Sequence, residues 1–474
     1  MLVNITEMER IIYLTAGLGY GDEGKGTTVD WLSSINSVKS IWRYNGGAQA
    51  AHHVVSEKDT LHCFAQFGSG SLSSPVSTYL SRYVAINPLS LAHERLILTP
   101  KMDYPLPPVL LAAEALVITP YHSLINQIRE IVRGDKRLGS CGRGVGETVR
   151  EANRYPNEAL RIKDLFDRAK LSNKLRFLQT VKVDEAEQLC DSHNDNPELK
   201  KRLESLRSEE HYWKLVDWYC DFVQDHNVQV IYSPTDPKLI NADGDIVFEG
   251  AQGALLHRDY GFYPHVTQSD TSFQNAEKLI KEHGLAGKIV KIGILRGYTT
   301  RHGAGPLVTF DAELTKTIPD EHNVSNEWQG DFRLGWLDLL ATRYALKITG
   351  KVDGIALTNL DRLMKLKRVK VCTAYEYSGS INFQDVAQYF VSYREAGHVI
   401  ITDIKLPPPD HLFDPSERQK ITDIINKCQP RYKTIEVTVN FIDTYIKFLE
   451  QQLDTEIRII STGPKASDKK LLNP

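Results

Sequence analysis

The densest collection of chemically capable residues in the sequence is GLGYGDEGKGTTVD, Gly17 to Asp30. Glycines let backbone N–H groups close on phosphate oxygens, a helix N-terminus adds a positive dipole end, and Lys25 supplies a point charge. The run predicts a phosphate cradle; the alternative is a tight turn with a surface lysine. Gly19, Gly24 and Lys25 satisfy the pattern GxxxxGK, but Gly26 stands where a Walker A loop has the Ser or Thr that holds magnesium. A metal would then need another hard oxygen, and Asp22 inside the loop is the obvious donor.

A second run, RYNGGAQAAHHVV, supplies Asn45, Gln49, His52 and His53 among small residues that let backbone approach a ligand. A histidine beside a phosphate can donate to its developing charge, although two adjacent histidines in a loop also fit a solvated or structural role. Three further glycine turns follow: SCGRGVGETVREANR (140–154) with Arg143, Arg150 and Arg154, FEGAQGALLHRDYGFYPHVTQSDTS (248–272) and GYTTRHGAGP (297–306). Each alone could be a plain loop. TNLD, Thr358 to Asp361, follows the apolar run GIAL. A carboxylate at such a strand end can accept two hydrogen bonds from guanine N1–H and its 2-amino group, which adenine does not offer.

These loops need a scaffold of strands and helices. A strand at Ile11 to Leu14 runs through the first glycine turn into a helix beginning near Gly24, the order of a nucleotide-binding βα unit. Strand-like runs recur at 228–232, 246–248, 288–294, 354–357 and 456–460 with helical patterns between many of them, which predicts an α/β fold around a largely parallel sheet. Residues 183–226 read as charged peripheral helices, 406–419 as a proline-rich connection, and the tail after Ser461 as polar and prone to fray at its end. With 474 residues and 41% hydrophobic content the chain can bury a large core, and no repeat interrupts it.

The charge balance of 57 basic against 60 acidic residues argues against bulk attraction to nucleic acid or an anionic membrane. Six cysteines without a CxxC pair suggest neither a zinc site nor a disulfide framework. The opening MLVNITEMER has no signal-peptide pattern, and the apolar stretch VLLAAEALVI (109–118) is too short to span a bilayer, so a cytoplasmic protein is expected.

GYGDEGKG, NGGAQAAHHVV, GRGVGE, FEGAQGALL with YPHVT, GYTTRHGAGP, GWLDLLATRYA, ALTNLD and STGP stand in the order of the corresponding motifs of the adenylosuccinate synthetase family, which the chain resembles from about Ile11 to Pro464. The resemblance implies one domain over 1–474 with a core of about 11–464, built as a large, mostly parallel central sheet flanked by helices with P-loop-like GTP binding. It implies a ligase that uses GTP as co-substrate and Mg2+ as cofactor to phosphorylate the 6-oxo group of a purine nucleotide, after which an amine displaces phosphate. A homodimer sharing an arginine across its interface is implied, with no nucleic-acid or membrane partner.

Carried over residue by residue, Asp22 resembles the catalytic base and a magnesium ligand, His52 the catalytic acid and Lys25 the phosphate-binding lysine. Ala51 stands where a backbone carbonyl ligates the metal. Gly21, Glu23, Gly24, Gly26, Thr27, His53, Asn359, Asp361, Ser461 and Gly463 match GTP-binding positions. Asn45, Gln49, Cys141, Gly142, Arg154, Gln252 and Thr267 match the purine nucleotide site, Arg154 being the arginine assigned to the interface. Thr300, His302, Gly330, Phe332 and Arg333 match the amine site.

Departures cluster at that last site. The family's TTGRPRR-like run, whose arginines grip the carboxylates of L-aspartate, is replaced by NEWQGDFRLGWLD, with Gly330 and Phe332 at two arginine positions and only Arg333 in register. His302 replaces a valine, Gln49 an asparagine, Cys141 a threonine and Asn359 a lysine. A lost hydrogen bond to a charged group costs about 1.5–3 kcal/mol, roughly ten- to a hundredfold in affinity. Three readings follow: an aspartate-using synthetase in which His302 or Arg301 takes over the carboxylate contact, the same phosphoryl transfer with another amine or a modified purine, and an inactive nucleotide-binding protein.

Overall fold

Ile11–Gly17 is buried at every position after its first, as a parallel strand covered on both faces must be. It lies within a ten-stranded sheet of the computed structural model, which describes residues 10–191, 195–240, 244–320, 323, 328–410 and 412–472. The spatial order is Lys469–Leu471, Ile457–Ser461, Gly354–Thr358, Lys288–Arg296, Ile11–Gly17, Asp245–Glu249, Val38–Arg43, Ser77–Leu80, Val109–Ala112, Val228–Ile231. Every neighbouring pair is parallel except the first, where Lys469–Leu471 runs antiparallel. The expected α/β class and mostly parallel central sheet are thus what the chain forms.

Ligand sites in open parallel sheets lie beyond the carboxyl ends of the strands. The loops at 18–24, 44–51, 250–253, 297–298 and 359–360 all leave the sheet at those ends. Beside the sheet, a hairpin of His52–Val55 with Leu61–Phe64 and another of Thr299–His302 with Phe332–Gly335 carry site residues to the same edge. A five-stranded layer built on Arg368–Tyr377 packs near the helix Leu339–Thr349. No described helix is long and apolar enough to cross a membrane.

The charged stretch 183–226 does form helices, Arg168–Cys190, Pro197–Arg207 and Glu209–Phe222. Their buried leucines and aromatics face the sheet-flanking helix Pro120–Arg133 and one another, while most charged positions face out, Lys182, buried and paired with Glu151, being an exception. One expectation needs correction. The connection at 406–419 ends early: Asp414 accepts from the backbone of Ser416 and Glu417 and caps a helix Pro415–Ile425, with proline at the position that loses nothing by lacking an N–H. Within the tail, Lys469–Leu471 adds an edge strand to the main sheet; its very end, Asn473 and Pro474, where fraying is expected, lies outside the described residues, as does part of the MLVNITEMER segment.

Candidate active site

The loop between Ile11–Gly17 and the helix Lys25–Ile35 is held open by its own side chains. Gly24, in the left-handed conformation at φ 91°, turns the chain into the helix, and Asp22 stands at φ 61°. Such an angle is uncommon outside glycine and marks an over-determined position. Glu23 accepts from the Gly21 N–H at 2.7 Å and pairs with the Lys25 ammonium, both side chains being buried. Thr358 Oγ1 donates to the Glu23 carbonyl at 2.6 Å, and Arg296 donates to the Asp22 carbonyl at 3.1 Å. A Cβ at Gly17 would stand 2.3 Å from Glu23 Oε2, so the first strand must end in glycine to leave room for that carboxylate.

The Asp22 carboxylate meets His302 Nε2 at 3.3 Å. Burial acts to raise the Asp22 pKa, but His302, Lys25 and Arg296 together hold it below the usual aspartate value. Asp22 is therefore an ionised oxygen donor at neutral pH.

His52 opens the hairpin strand His52–Val55 and packs against the start of the helix. A Cβ on Gly26 would stand 2.6 Å from the His52 Cβ, so the residue that a Walker A loop would place here has no space. His52 Nδ1 lies 2.6 Å from Glu249 Oε1. The other oxygen of Glu249 accepts from the Ser69 N–H at 3.0 Å, and the Ser69 hydroxyl donates to Oε1. Burial works against the charge on Glu249, yet Arg43, His52 and Ser69 bring its pKa down to about 2. For His52 burial is again the largest effect and, with Arg43 and Lys25, outweighs Glu249, so the ring pKa is lowered. Glu249 fixes the ring and the tautomer, leaving Nε2 for a ligand. The motif FEGAQG does not by itself single out this glutamate; a carboxylate ending a fully buried strand is the available signal.

Two amides expected at the purine nucleotide site are buried near one another. Both polar atoms of Gln49, and Oε1 of Gln252, are buried without a hydrogen-bond partner among the described residues. They are near neighbours: a Cβ on Gly46 would lie 3.5 Å from Gln49 Nε2 and 3.9 Å from Gln252 Oε1. Gln252, at φ 66°, donates through Nε2 to Thr267 Oγ1 at 2.9 Å. Unpaired buried amides are costly unless a ligand completes them. Asn45 differs, because its amide bridges Ala251 (N and O) and the Asp270 carbonyl and so positions the Gln252 turn from within the protein. Cys141, its thiol pushed up by burial, precedes Gly142, on whose Cα the Trp328 indole rests (a Cβ there would stand 3.1 Å from the ring). Arg154 is brought to none of these groups; it stands exposed at the end of the helix Val145–Arg154 with its guanidinium 5.1 Å from the Tyr155 ring.

On the opposite side of the phosphate loop, Asn359 (φ 59°) and Asp361 follow the strand Gly354–Thr358. Ser461 donates to the Gly463 carbonyl at 2.9 Å, and Thr27 to the Pro464 carbonyl at 2.8 Å, which ties the first helix to the 461–464 turn. Glu57, in the His52 hairpin turn, accepts from Ser467 N and Oγ at 2.8 Å. His53 lies on the same hairpin opposite Cys63.

At the remaining edge His302 pairs with Phe332 and Arg301 with Arg333 across an antiparallel ladder, with Thr300 buried beside them. The His302 and Phe332 rings are 4.6 Å apart. Arg333 Nη2 donates to the Gly303 and Gly305 carbonyls at 2.5 and 2.9 Å. Gly330 stands at φ 78°, a backbone that side-chain-bearing residues rarely adopt. Asn326 and Glu327 of the altered loop lie outside the described residues.

Magnesium takes oxygen ligands and is usually held by one or two protein groups plus substrate phosphates and water. The donor set fits that pattern: the ionised Asp22 borders the phosphate loop, the Ala51 carbonyl immediately precedes His52, and no group of three or more His, Cys, Asp or Glu among the described residues forms a self-sufficient metal cage.

The sequence model of the family described as adenylosuccinate synthetase matches residues 14–402. An adenylosuccinate synthetase from Buchnera aphidicola is 32% identical over 467 residues, covering 96% of this chain and 97% of that relative. One from Thermoplasma volcanium is 31% identical over 472 residues, covering 98% of each. The fold is also that of the fully ligated adenylosuccinate synthetase from Plasmodium falciparum, with a TM-score of 0.71, 21% identity, and coverage of 97% of this chain and 99% of that one.

Proposed function

The chain belongs to the adenylosuccinate synthetase family and is a GTP-dependent ligase, and on that premise we propose that it phosphorylates the 6-oxo group of IMP or a related purine nucleotide and lets an amine displace the phosphate, giving an N6-substituted adenylate, GDP and phosphate. L-Aspartate is the amine the family name leads one to expect. The observation that carries the proposal is the buried, unpartnered amide of Gln49 beside the unpartnered Oε1 of Gln252, next to a glycine loop whose Asp22 is ionised.

A 6-oxo group is a poor leaving group, so the purine must first be activated. Asp22 takes the N1 proton, which raises electron density on O6, and O6 attacks the γ-phosphorus as the bond to the bridging oxygen of GDP breaks. Lys25 and the backbone N–H groups of the glycine loop hold the phosphates through this transfer. His52 Nε2, aimed by Glu249, faces the phosphoryl group; the anionic oxygens that arrive there oppose the effect of burial and favour the protonated ring that can donate to them. Magnesium, held by Asp22 and the Ala51 carbonyl, would supply charge neutralisation on the phosphates. The amine nitrogen then bonds to C6, the C6–O6 bond breaks, and phosphate leaves with the proton the nitrogen gives up.

Asp361, with Asn359, Ser461 and Gly463, is assigned to the guanine base, and Gln49, Gln252, Thr267, Cys141 and Gly142 to the purine nucleotide. Arg154, exposed and turned from its own site, is assigned to a homodimer interface in a cytoplasmic enzyme. The test is purine-dependent turnover: with Mg2+ and IMP, GTP labelled with 18O between its β- and γ-phosphorus should scramble that label even without amine. Absence of scrambling with IMP would refute the assigned phosphoryl transfer.

A further inference from the structure

The helix Pro120–Arg133 has two faces of different kinds. Tyr121, Ile125 and Ile128 are buried in the main core. Ser123, Asn126, Gln127 and Glu130, spaced i, i+3, i+4 and i+7, form a polar stripe on the other side, where an amphipathic helix ordinarily meets water. This stripe is covered instead: Asn126 and Glu130 are buried, Glu130 completely. Polar groups withdrawn from water in this way need partners within the protein.

All four side chains find them in the loop 138–144. Glu130 Oε2 accepts from the N–H groups of Leu138 at 3.1 Å and Gly139 at 3.3 Å, while Arg133 pairs with Oε1. Asn126 donates to Ser140 Oγ at 2.8 Å and accepts from the Gly144 N–H at 3.3 Å. Gln127 donates to the Gly142 carbonyl at 3.4 Å and Ser123 to the Arg143 carbonyl at 3.0 Å. From the peripheral helix Pro197–Arg207, Arg202 donates through Nε to Gln127 Oε1 at 3.1 Å and so fixes which way that amide points. The loop requires such a frame. Gly139, Gly142 and Gly144 stand at φ 76°, 68° and 82°, and residues 138–143 make no backbone–backbone hydrogen bond among the described residues. Without outside ties, a ligand binding there would itself have to offset the entropy of ordering a glycine-rich segment.

Resting on the assignment of Cys141 and Gly142 to the purine nucleotide, we infer that Asn126, Gln127 and Glu130 are positioning residues for that nucleotide. They hold the 138–144 loop in its binding shape and raise affinity for the purine nucleotide without touching it, and Arg202 acts one step further out through Gln127. The phosphate loop at 17–26 is held by other groups, so GTP binding is independent of the stripe.

The test follows 18O scrambling in GTP by the full chain with Mg2+ and no amine, reading the IMP and GTP concentrations for half-maximal rate, the maximal rate and Tm. Glu130→Ala and Asn126→Ala each remove two ties to the loop and should raise the half-maximal IMP concentration about tenfold or more, with maximal rate and GTP dependence within about twofold. Glu130→Gln keeps an oxygen for Leu138 and Gly139 and should restore an IMP dependence within about threefold of the parent. Arg202→Ala, outside the core, should raise the IMP requirement roughly two- to fivefold and decides the matter if the buried variants fail to fold. Gly142→Ala, placed in the loop itself, is the reference for loop damage. If Gly142→Ala raises the IMP requirement while the stripe variants leave it unchanged, or if their GTP dependence moves in step with it, the inference is overturned and the nucleotide site stands. If Gly142→Ala and the stripe variants all leave the IMP dependence unchanged, the assignment of the loop to the nucleotide falls as well. A parent without IMP-dependent scrambling overturns the phosphoryl-transfer reading and the inference together.

Discussion

Replacing Glu249 with glutamine isolates what the buried carboxylate does for His52. The two side chains are nearly isosteric, so packing in the sheet is kept. The amide, however, has one acceptor where the carboxylate serves His52 Nδ1 at 2.6 Å and Ser69 N at 3.0 Å from different oxygens. Either its NH2 faces the Ser69 N–H, or it faces Nδ1 and forces the other imidazole tautomer. The charge that favours a protonated ring is lost in both cases. A hydrogen bond to a charged group contributes about 1.5–3 kcal/mol, so if it serves the transition state kcat should fall roughly ten- to a hundredfold. The KM for GTP should move little, because the glycine loop and Lys25 are untouched. The sign of the pH effect follows from the same contact: Glu249 raises the His52 pKa against burial, so the variant's His52 limb must shift to lower pH. Steady-state kinetics across pH 5–9 with saturating IMP and the preferred amine would measure it. A kcat within twofold of the parent, with an unmoved profile, would refute the positioning role of Glu249.

Asp22→Asn should remove turnover by roughly two to four orders of magnitude while GTP binding, measured by calorimetry, persists through the backbone cradle. Asp361→Ala should lower kcat/KM for GTP roughly ten- to a hundredfold and narrow the preference over ATP; a parent enzyme that uses ATP as well as GTP would remove Asp361 from base selection. Gly26→Ser should disturb His52 and cut kcat rather than improve metal binding, because its Cβ would lie 2.6 Å from the His52 Cβ; a magnesium titration that tightens with kcat intact would contradict this. The native pKa values of Glu249 and Asp270 are depressed to about 2, so each contributes stability that is complete above its ordinary value near 4 and is lost as pH falls toward 2, up to about 3 kcal/mol per group. Tm should drop between pH 5 and pH 3, and a flat Tm there would count against it.

Some of this was legible because local chemistry and fold demand the same residue. Ile11–Gly17 is apolar throughout and ends in a glycine turn before a lysine, so strand, loop and helix follow from neighbours in sequence. The pairing that orients His52 was not, since Glu249 lies 197 residues away and only the parallel register of Asp245–Glu249 beside Val38–Arg43 brings it close. The same holds for Asn45, whose type suggested a ligand contact but whose amide is taken by backbone groups more than 200 residues on. Gly26 shows how the two kinds of information join. Its departure from the Walker pattern was visible in the sequence, and the need for another metal ligand followed at once. The cause was not visible: the His52 strand occupies the space a serine or threonine side chain would need. One close approach therefore brings a histidine onto the glycine loop, so the residues proposed as base and metal ligand (Asp22) and as acid (His52) are arranged around a position that has no side chain.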